Sequence, residues 1–113
     1  MKIKVQEIGG VPVLEVSGEM YGGPENVKLV ELLDEQIAAK KKEVVIDMKK
    51  VKWIASTGLG ILVKGRTNFA DAGGTVRLCG LNERVLTLLQ ITKMNSLFQV
   101  HDTREEALAA IQG

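Results

Sequence analysis

The chain has 113 residues, 45% hydrophobic and 26% charged, which is the length of one small domain with a single core and the composition of a soluble globular chain. Fifteen basic against 14 acidic residues leave a formal charge of +1, and that balance argues against nucleic acid as the main partner, which selects a basic face. One cysteine, Cys79, excludes an internal disulfide and fits a reducing compartment, and no apolar run approaches the roughly 18 residues of a membrane-spanning helix.

The N-terminus, Met1 to Glu7, alternates as a strand does and carries no secretory apolar region, so the expected location is cytoplasmic, without membrane insertion. Ile3, Val5 and Ile8, then Val11, Val13, Leu14 and Val16, read as two strands around the Gly9-Gly10 turn, an antiparallel hairpin at a sheet edge. Pro12 is tolerable near such an edge. Residues 17–23 read as a loop by composition. Pro24 suits a first helical position and Glu25 favours the helix dipole. That helix is expected to reach about Lys40, with Leu29, Val30, Leu33 and Ile37 on one side, and the Lys40-Lys41-Lys42 run reads as its solvated C-terminus.

Residues 43–48 contain Val44-Val45-Ile46 without alternation, the pattern of a strand covered on both faces. A strand–helix–strand unit follows over residues 51–79. Its helix carries Leu59, Leu62, Val63, Phe69 and Ala70 at helical spacing, and Gly73-Gly74 ends it. Val76 and Leu78 mark another strand, Asn82 a helix cap, and residues 98–100 a short last strand after a turn over 94–98. Thr103 and Glu106 have capping-box spacing and open a final helix with Ala107, Leu108 and Ile111 inward. The element order ββαβαβαβα gives an α/β fold with a mixed sheet and helices on at least one face.

The central stretch Trp53-Ile54-Ala55-Ser56-Thr57-Gly58-Leu59-Gly60 carries the chemistry. Ser56 and Thr57 fall where a strand's end turns into a helix start, facing unpaired backbone N–H groups and the positive end of a dipole. Such a place suits an anion, including a phosphoserine, and a serine there also reads simply as an N-cap. Gly58 and Gly60 hint at a phosphate cradle, but no glycine-rich nucleotide motif completes it, so they read as close packing of helix on sheet. Catalysis is not expected. The lone histidine, His101, lies 45 positions beyond Ser56, and the sequence around Ser56 is not a nucleophile elbow. Asp47 and Glu19 are the one conceivable acid pair, with nothing to supply an oxyanion hole. No Cys/His cluster offers metal ligands, and Cys79 reads as a small strand residue, so neither metal nor cofactor is expected.

The run from Asp47 to Gly60 resembles the signature of the STAS family, the bacterial anti-sigma factor antagonists: an Asp or Asn ending a strand, an apolar residue about four positions on, then Asp-Ser-[Ser/Thr]-Gly-Leu-Gly. Val16-Ser17-Gly18-Glu19 resembles the family's hydrophobic-x-Gly-Glu-Leu-Asp, and the ending from Leu97 to Leu108 resembles its closing strand and helix. The resemblance spans nearly the whole chain as one domain, 1–113. It implies a curved, mainly parallel sheet with the first strands at one edge. It further implies a partner that is both anti-sigma factor and serine kinase, phosphorylation of Ser56 that ends binding, and a phosphatase that resets the cycle. Glu19, Tyr21, Ala55, Ser56, Thr57, Gly58 and Leu59 are the implied partner-binding residues, with the loop 18–24 beside the turn. The sequence leaves the oligomeric state open between a monomer and a weak dimer. The chain departs from the family pattern at Ala55 and Tyr21, which stand where the family has aspartates near the phosphosite. Those departures favour a second reading, a phosphorylation-independent STAS subunit of a lipid-transport or signalling complex.

Overall fold

Alternating apolar residues on either side of two glycines build the first hairpin of the computed structural model, which describes residues 2–112. Strand β1 (Lys2–Ile8) pairs antiparallel with β2 (Val11–Met20), and Gly9 and Gly10 take the left-handed conformations of the turn (φ +57° and +82°). Met1 lies outside the described residues.

Strand β2 runs further than its composition suggests. Residues 17–20, expected as loop, stay in the sheet because the parallel partner β3 (Glu43–Ile54) extends equally far, pairing Ser17 with Lys50 and Met20 with Ile54. Register shifts on either side of Ser17 and Gly18 absorb the irregularity. Likewise β3 does not stop at Met48. Lys49 and Lys50 are exposed strand residues, and Val51 and Ile54 beyond them are buried.

Between these strands runs α1 (Pro24–Ala38), with Pro24 in its first turn as expected. The expected dipole contribution of the Glu25 side chain lies outside the described residues. The helix ends before the lysine run, which is solvated as expected at Lys40 and Lys42 but lies in the connector to β3 rather than in the last turn of α1. Lys40 takes φ +62°, Lys41 Nζ reaches Glu7 at 2.6 Å and the Gly10 carbonyl at 3.2 Å, and Lys42 Nζ reaches the Ala72 carbonyl at 2.8 Å. Helix α2 (Ser56–Asp71), strand β4 (Thr75–Cys79), α3 (Glu83–Ile91), a short 3₁₀ turn (Met94–Leu97), β5 (Gln99–His101) and α4 (Arg104–Gln112) complete the chain. Asn82 caps α3 by accepting from Val85 N at 2.9 Å, and Thr103 caps α4 by accepting from Glu106 N at 3.1 Å.

Among the described residues the sheet has the order β1-β2-β3-β4-β5, with β1–β2 antiparallel and the other pairs parallel. The lack of alternation at 44–46 has its expected cause. Val44 and Ile46 join Leu14, Leu29, Leu33, Leu62, Phe69, Val85 and Leu89 in the main core, and Val45 joins Val11, Val13, Cys79 and Ala107 on the opposite face. Helices α1, α2 and α3 thus cover one face and α4 part of the other. Each fully buried Leu, Val or Phe contributes about 1.5–3 kcal/mol, so the α1–α3 face holds most of the stabilisation. Cys79 is buried on the α4 face, and burial pushes its thiol up to about 12, leaving it protonated and inert.

Candidate functional site

Parallel pairing of β2 and β3 brings Met20 and Ile54 side by side, so both chains leave the sheet at the same edge. Their exits are tied together. Ala55 N donates to the Met20 carbonyl at 2.8 Å, and the Thr57 hydroxyl donates to the Tyr21 carbonyl. Two glycines allow this approach. A Cβ on Gly58 would lie 2.4 Å from Met20 O, and one on Gly22 (φ +91°) would lie 2.6 Å from Thr57 Cβ. Gly22 N in turn donates to the buried Asn26 side chain at the start of α1. The structure therefore brings the loop 20–23 and the turn 55–58 into one unit, as expected of loop 18–24 and the turn.

The close-packing role expected of both Gly58 and Gly60 holds only for the first, because a Cβ on Gly60 would meet nothing within 4 Å. The expected capping role of Ser56 is also corrected. Ala55 holds the N-cap position (φ −83°, ψ 162°), makes no side-chain cap bond, and leaves Ser56 as the first helical residue with its side chain exposed. The reason is that the helix starts as soon as Ala55 O accepts from Leu59 N, at 2.9 Å. No acidic residue lies in the first turn of α2.

Around this unit, Leu59 is buried into the core, while Glu19 and Tyr21 are exposed. The Tyr21 hydroxyl donates to the Glu19 carboxylate, and this bond to a carboxylate holds the phenol above its ordinary value. The Tyr21 ring lies against Trp53 with centroids 5.2 Å apart and planes at 60°. Glu19, Tyr21, Gly23, Pro24 and Asn26 line a cavity of about 410 Å³ next to the turn. Trp53 and Gly22 entered the sequence reading only as members of the central stretch and of the loop 18–24, and Asn26 had no role in it. The bond from Gly22 N to Asn26 is an i to i+4 turn contact that the Gly-Gly-Pro-Glu-Asn run alone does not announce.

The acid pair Asp47–Glu19 does not exist. Glu19 lies in register with Trp53, and Asp47 with Glu15. Glu15 and Asp47 instead share Arg104 from α4, at 2.9 Å and 2.8 Å, and Lys50 Nζ reaches Glu15 at 2.9 Å. Asp47 also accepts from Lys49 N at 3.0 Å. Lys50 and then Arg104 hold the Glu15 carboxyl below the usual carboxylate range. The sequence signal for this network was a carboxylate interrupting each of two buried runs, at Glu15 and at Asp47, which implies a buried or half-buried cation. His101 Nε2 lies 3.2 Å from Arg77 Nη1. His101 pairs in register with Cys79 on the α4 face, away from α2.

A family model described as STAS domain matches residues 2–107. An anti-sigma F factor antagonist of Paenibacillus polymyxa is 23% identical over 113 residues, covering 99% of this chain and 96% of that protein. The crystal structure of an anti-sigma factor antagonist from Mycobacterium paratuberculosis superposes with a TM-score of 0.85 at 23% identity, covering 99% of this chain and 94% of that one. SpoIIAA, an anti-sigma factor antagonist, superposes in its unphosphorylated form with a TM-score of 0.78 at 14% identity over 99% of both chains. Its phosphorylated form, from Bacillus, gives 0.75 at 12% identity over 97% of this chain and 99% of that one. Among the described residues no helix is long and apolar enough to cross a membrane.

Proposed function

We propose that this chain, which belongs to the STAS domain family, acts as an anti-sigma factor antagonist switched at Ser56. In its unmodified state it binds an anti-sigma factor that is also a serine kinase. That kinase phosphorylates Ser56, the complex dissociates, and a phosphatase restores the binding state. The observation that carries the reading is the position of Ser56. It is exposed at the first position of α2, unused as a cap, on a surface built jointly by the β2 and β3 exits.

The physical switch follows from that position. The free N–H groups of the first turn can donate to a phosphate without unfolding the helix, with a gain of roughly 0.3–1 kcal/mol from the dipole. The same phosphate adds about −1.5 to −2 charges to a surface the partner must cover. Leaving that charge desolvated and unpaired at an interface costs several kcal/mol, about 3–5 for a comparable broken buried pair, which is enough to abolish binding. Glu19, Tyr21, Ala55 and Thr57 shape the same surface around Ser56, and Gly58 and Leu59, expected among the partner-binding residues, are buried beneath it.

The test is a comparison of affinities for the kinase-like ATPase recovered from source lysate on Ser56→Ala bait. Ser56→Ala is expected to bind like the unmodified chain, and Ser56→Asp at least tenfold more weakly. Equal affinities sink the switch. The Glu19 carboxylate is taken up by the Tyr21 phenol, and Ala55 adds no acid beside Ser56. This local shortage of free negative charge favours the second reading, a phosphorylation-independent subunit of a lipid-transport or signalling complex. Intact-mass measurement after incubation with that ATPase and ATP separates the two: an unmodified Ser56 selects the second.

A further inference from the structure

Helix α4 is attached to the sheet differently from α1, α2 and α3. Of its nine residues only Ala107 is fully buried, with Leu108 and Ile111 packed partly against the sheet. Its first residue is a cation, Arg104, at the end of a helix where the dipole disfavours positive charge. What holds Arg104 there is the pair of carboxylates on two neighbouring strands, Glu15 on β2 and Asp47 on β3. At its far end Gln112 reaches the β1–β2 turn, where a Cβ on Gly9 would lie 2.6 Å from Gln112 Nε2.

Beneath α4 lies a closed apolar strip of Val11, Val13, Val45 and Cys79, each 6% exposed or less. The strands that carry this strip do not depend on α4. β2, β3 and β4 are each hydrogen-bonded on both sides and are anchored through Leu14, Val16, Val44, Ile46, Val76 and Leu78 in the main core on the other face. Regions with few buried contacts open at free energies well below global unfolding.

We propose that α4 is a releasable strap pinned by Arg104, which lifts from the sheet while the rest of the fold stays intact and so uncovers the strip Val11, Val13, Val45 and Cys79. The opening stands independently of any phosphorylation cycle. Cys79 reports the opening, because its thiol faces α4 and is shielded when the strap is closed.

The experiment is labelling of Cys79 in the full chain with a disulfide reagent such as Ellman's, followed over a range of urea below the unfolding transition. Labelling is expected to depend on urea less steeply than global unfolding measured by circular dichroism, because a smaller surface is exposed. Arg104→Gln should speed labelling in native buffer by about tenfold or more, the size expected when a charged hydrogen-bond partner is lost. Arg104→Lys should fall between the two, and Leu108→Ala, which touches only the strap contact, should also accelerate labelling. Labelling that follows the global transition with the same slope in the unmodified chain overturns the proposal, whether or not the variants fold. So does an Arg104→Gln variant that folds but labels at the unmodified rate.

Discussion

Helices α2 and α4 both follow the C-terminal ends of parallel strands, β3 and β5, yet they begin in opposite ways. The start of α2 has alanine at the cap, no side-chain cap bond and no acidic residue in its first turn. The start of α4 has the Thr103 cap, Glu105 and Glu106 in the first turn, and Arg104 held by Glu15 and Asp47. Packing explains the difference. Helix α2 sets Gly58, Leu59, Leu62, Gly65 and Phe69 into the core, and α4 sets in Ala107 alone. A helix fixed by its buried face can leave its N-terminal amides free, whereas a lightly packed one needs caps and charges to hold it. In this chain the free end is where the candidate switch lies.

Breaking the steric fit at the α2 start should have the largest effect. A Cβ at Gly58 would meet backbone atoms, Met20 O at 2.4 Å and Met20 C at 2.8 Å, so relief requires moving β2 away from α2. Gly58→Ala is expected to cost about 1–3 kcal/mol or more, a fall in the thermal midpoint of roughly 4–8 °C per kcal/mol for a domain near this size. Gly60→Ala, with open space around its Cβ, should instead gain about 0.5–1 kcal/mol from helix propensity. Equal shifts from the two substitutions would mean that the Met20–Gly58 contact does not organise the turn.

That contrast also marks what the sequence could reveal. The hairpin, the order of elements, the inward faces of α1 and α2, the Asn82 and Thr103 caps and the doubly covered Val44-Val45-Ile46 run were all legible, because each is a local pattern with one physical cause. Lengths of strands were not. Whether residues 17–20 and 49–54 stay extended depends on the partner strand alongside, and Lys49-Lys50 looks locally like a break. The meeting of loop 18–24 with the turn came from family resemblance, not from any spacing. The Glu15–Arg104–Asp47 network was missed since its members lie 89 and 57 positions apart. Ser56 read as the cap of α2, one position too late, because Ala55 gives no cap signal.

Acid should separate the two helix starts by a smaller effect. The Glu15 carboxyl is depressed by Lys50 and Arg104, so its contribution is fully present above the ordinary value of 4.5 and is lost as pH falls through the lower folded value. The α2 start has no carboxylate in its first turn to lose. Hydrogen exchange followed downward from about pH 5, corrected for intrinsic rates, should show the bonded amides of α4 losing protection before those of α2 from Leu59 onward. Simultaneous loss would mean that the pin does not control α4.

The smallest effect comes from giving α2 the cap it lacks. With Ala55 already extended at φ −83° and ψ 162°, an aspartate there can accept from the amides of the first turn, and Ala55→Asp should add about 0.5–2 kcal/mol of stability. The gain matters less than its coupling to the next residue. Ser56→Asp draws on the same amides and the same dipole, roughly 0.3–1 kcal/mol when it acts alone. If both carboxylates compete for those groups and repel one another, the double variant should be less stable than the sum of the single effects, by a few tenths of a kcal/mol up to about 1. Thermal or urea unfolding of the four proteins measures that coupling. Strict additivity would show that the first-turn amides are not a shared resource, and the alanine at the cap would then have no part in keeping them free for a charge on Ser56.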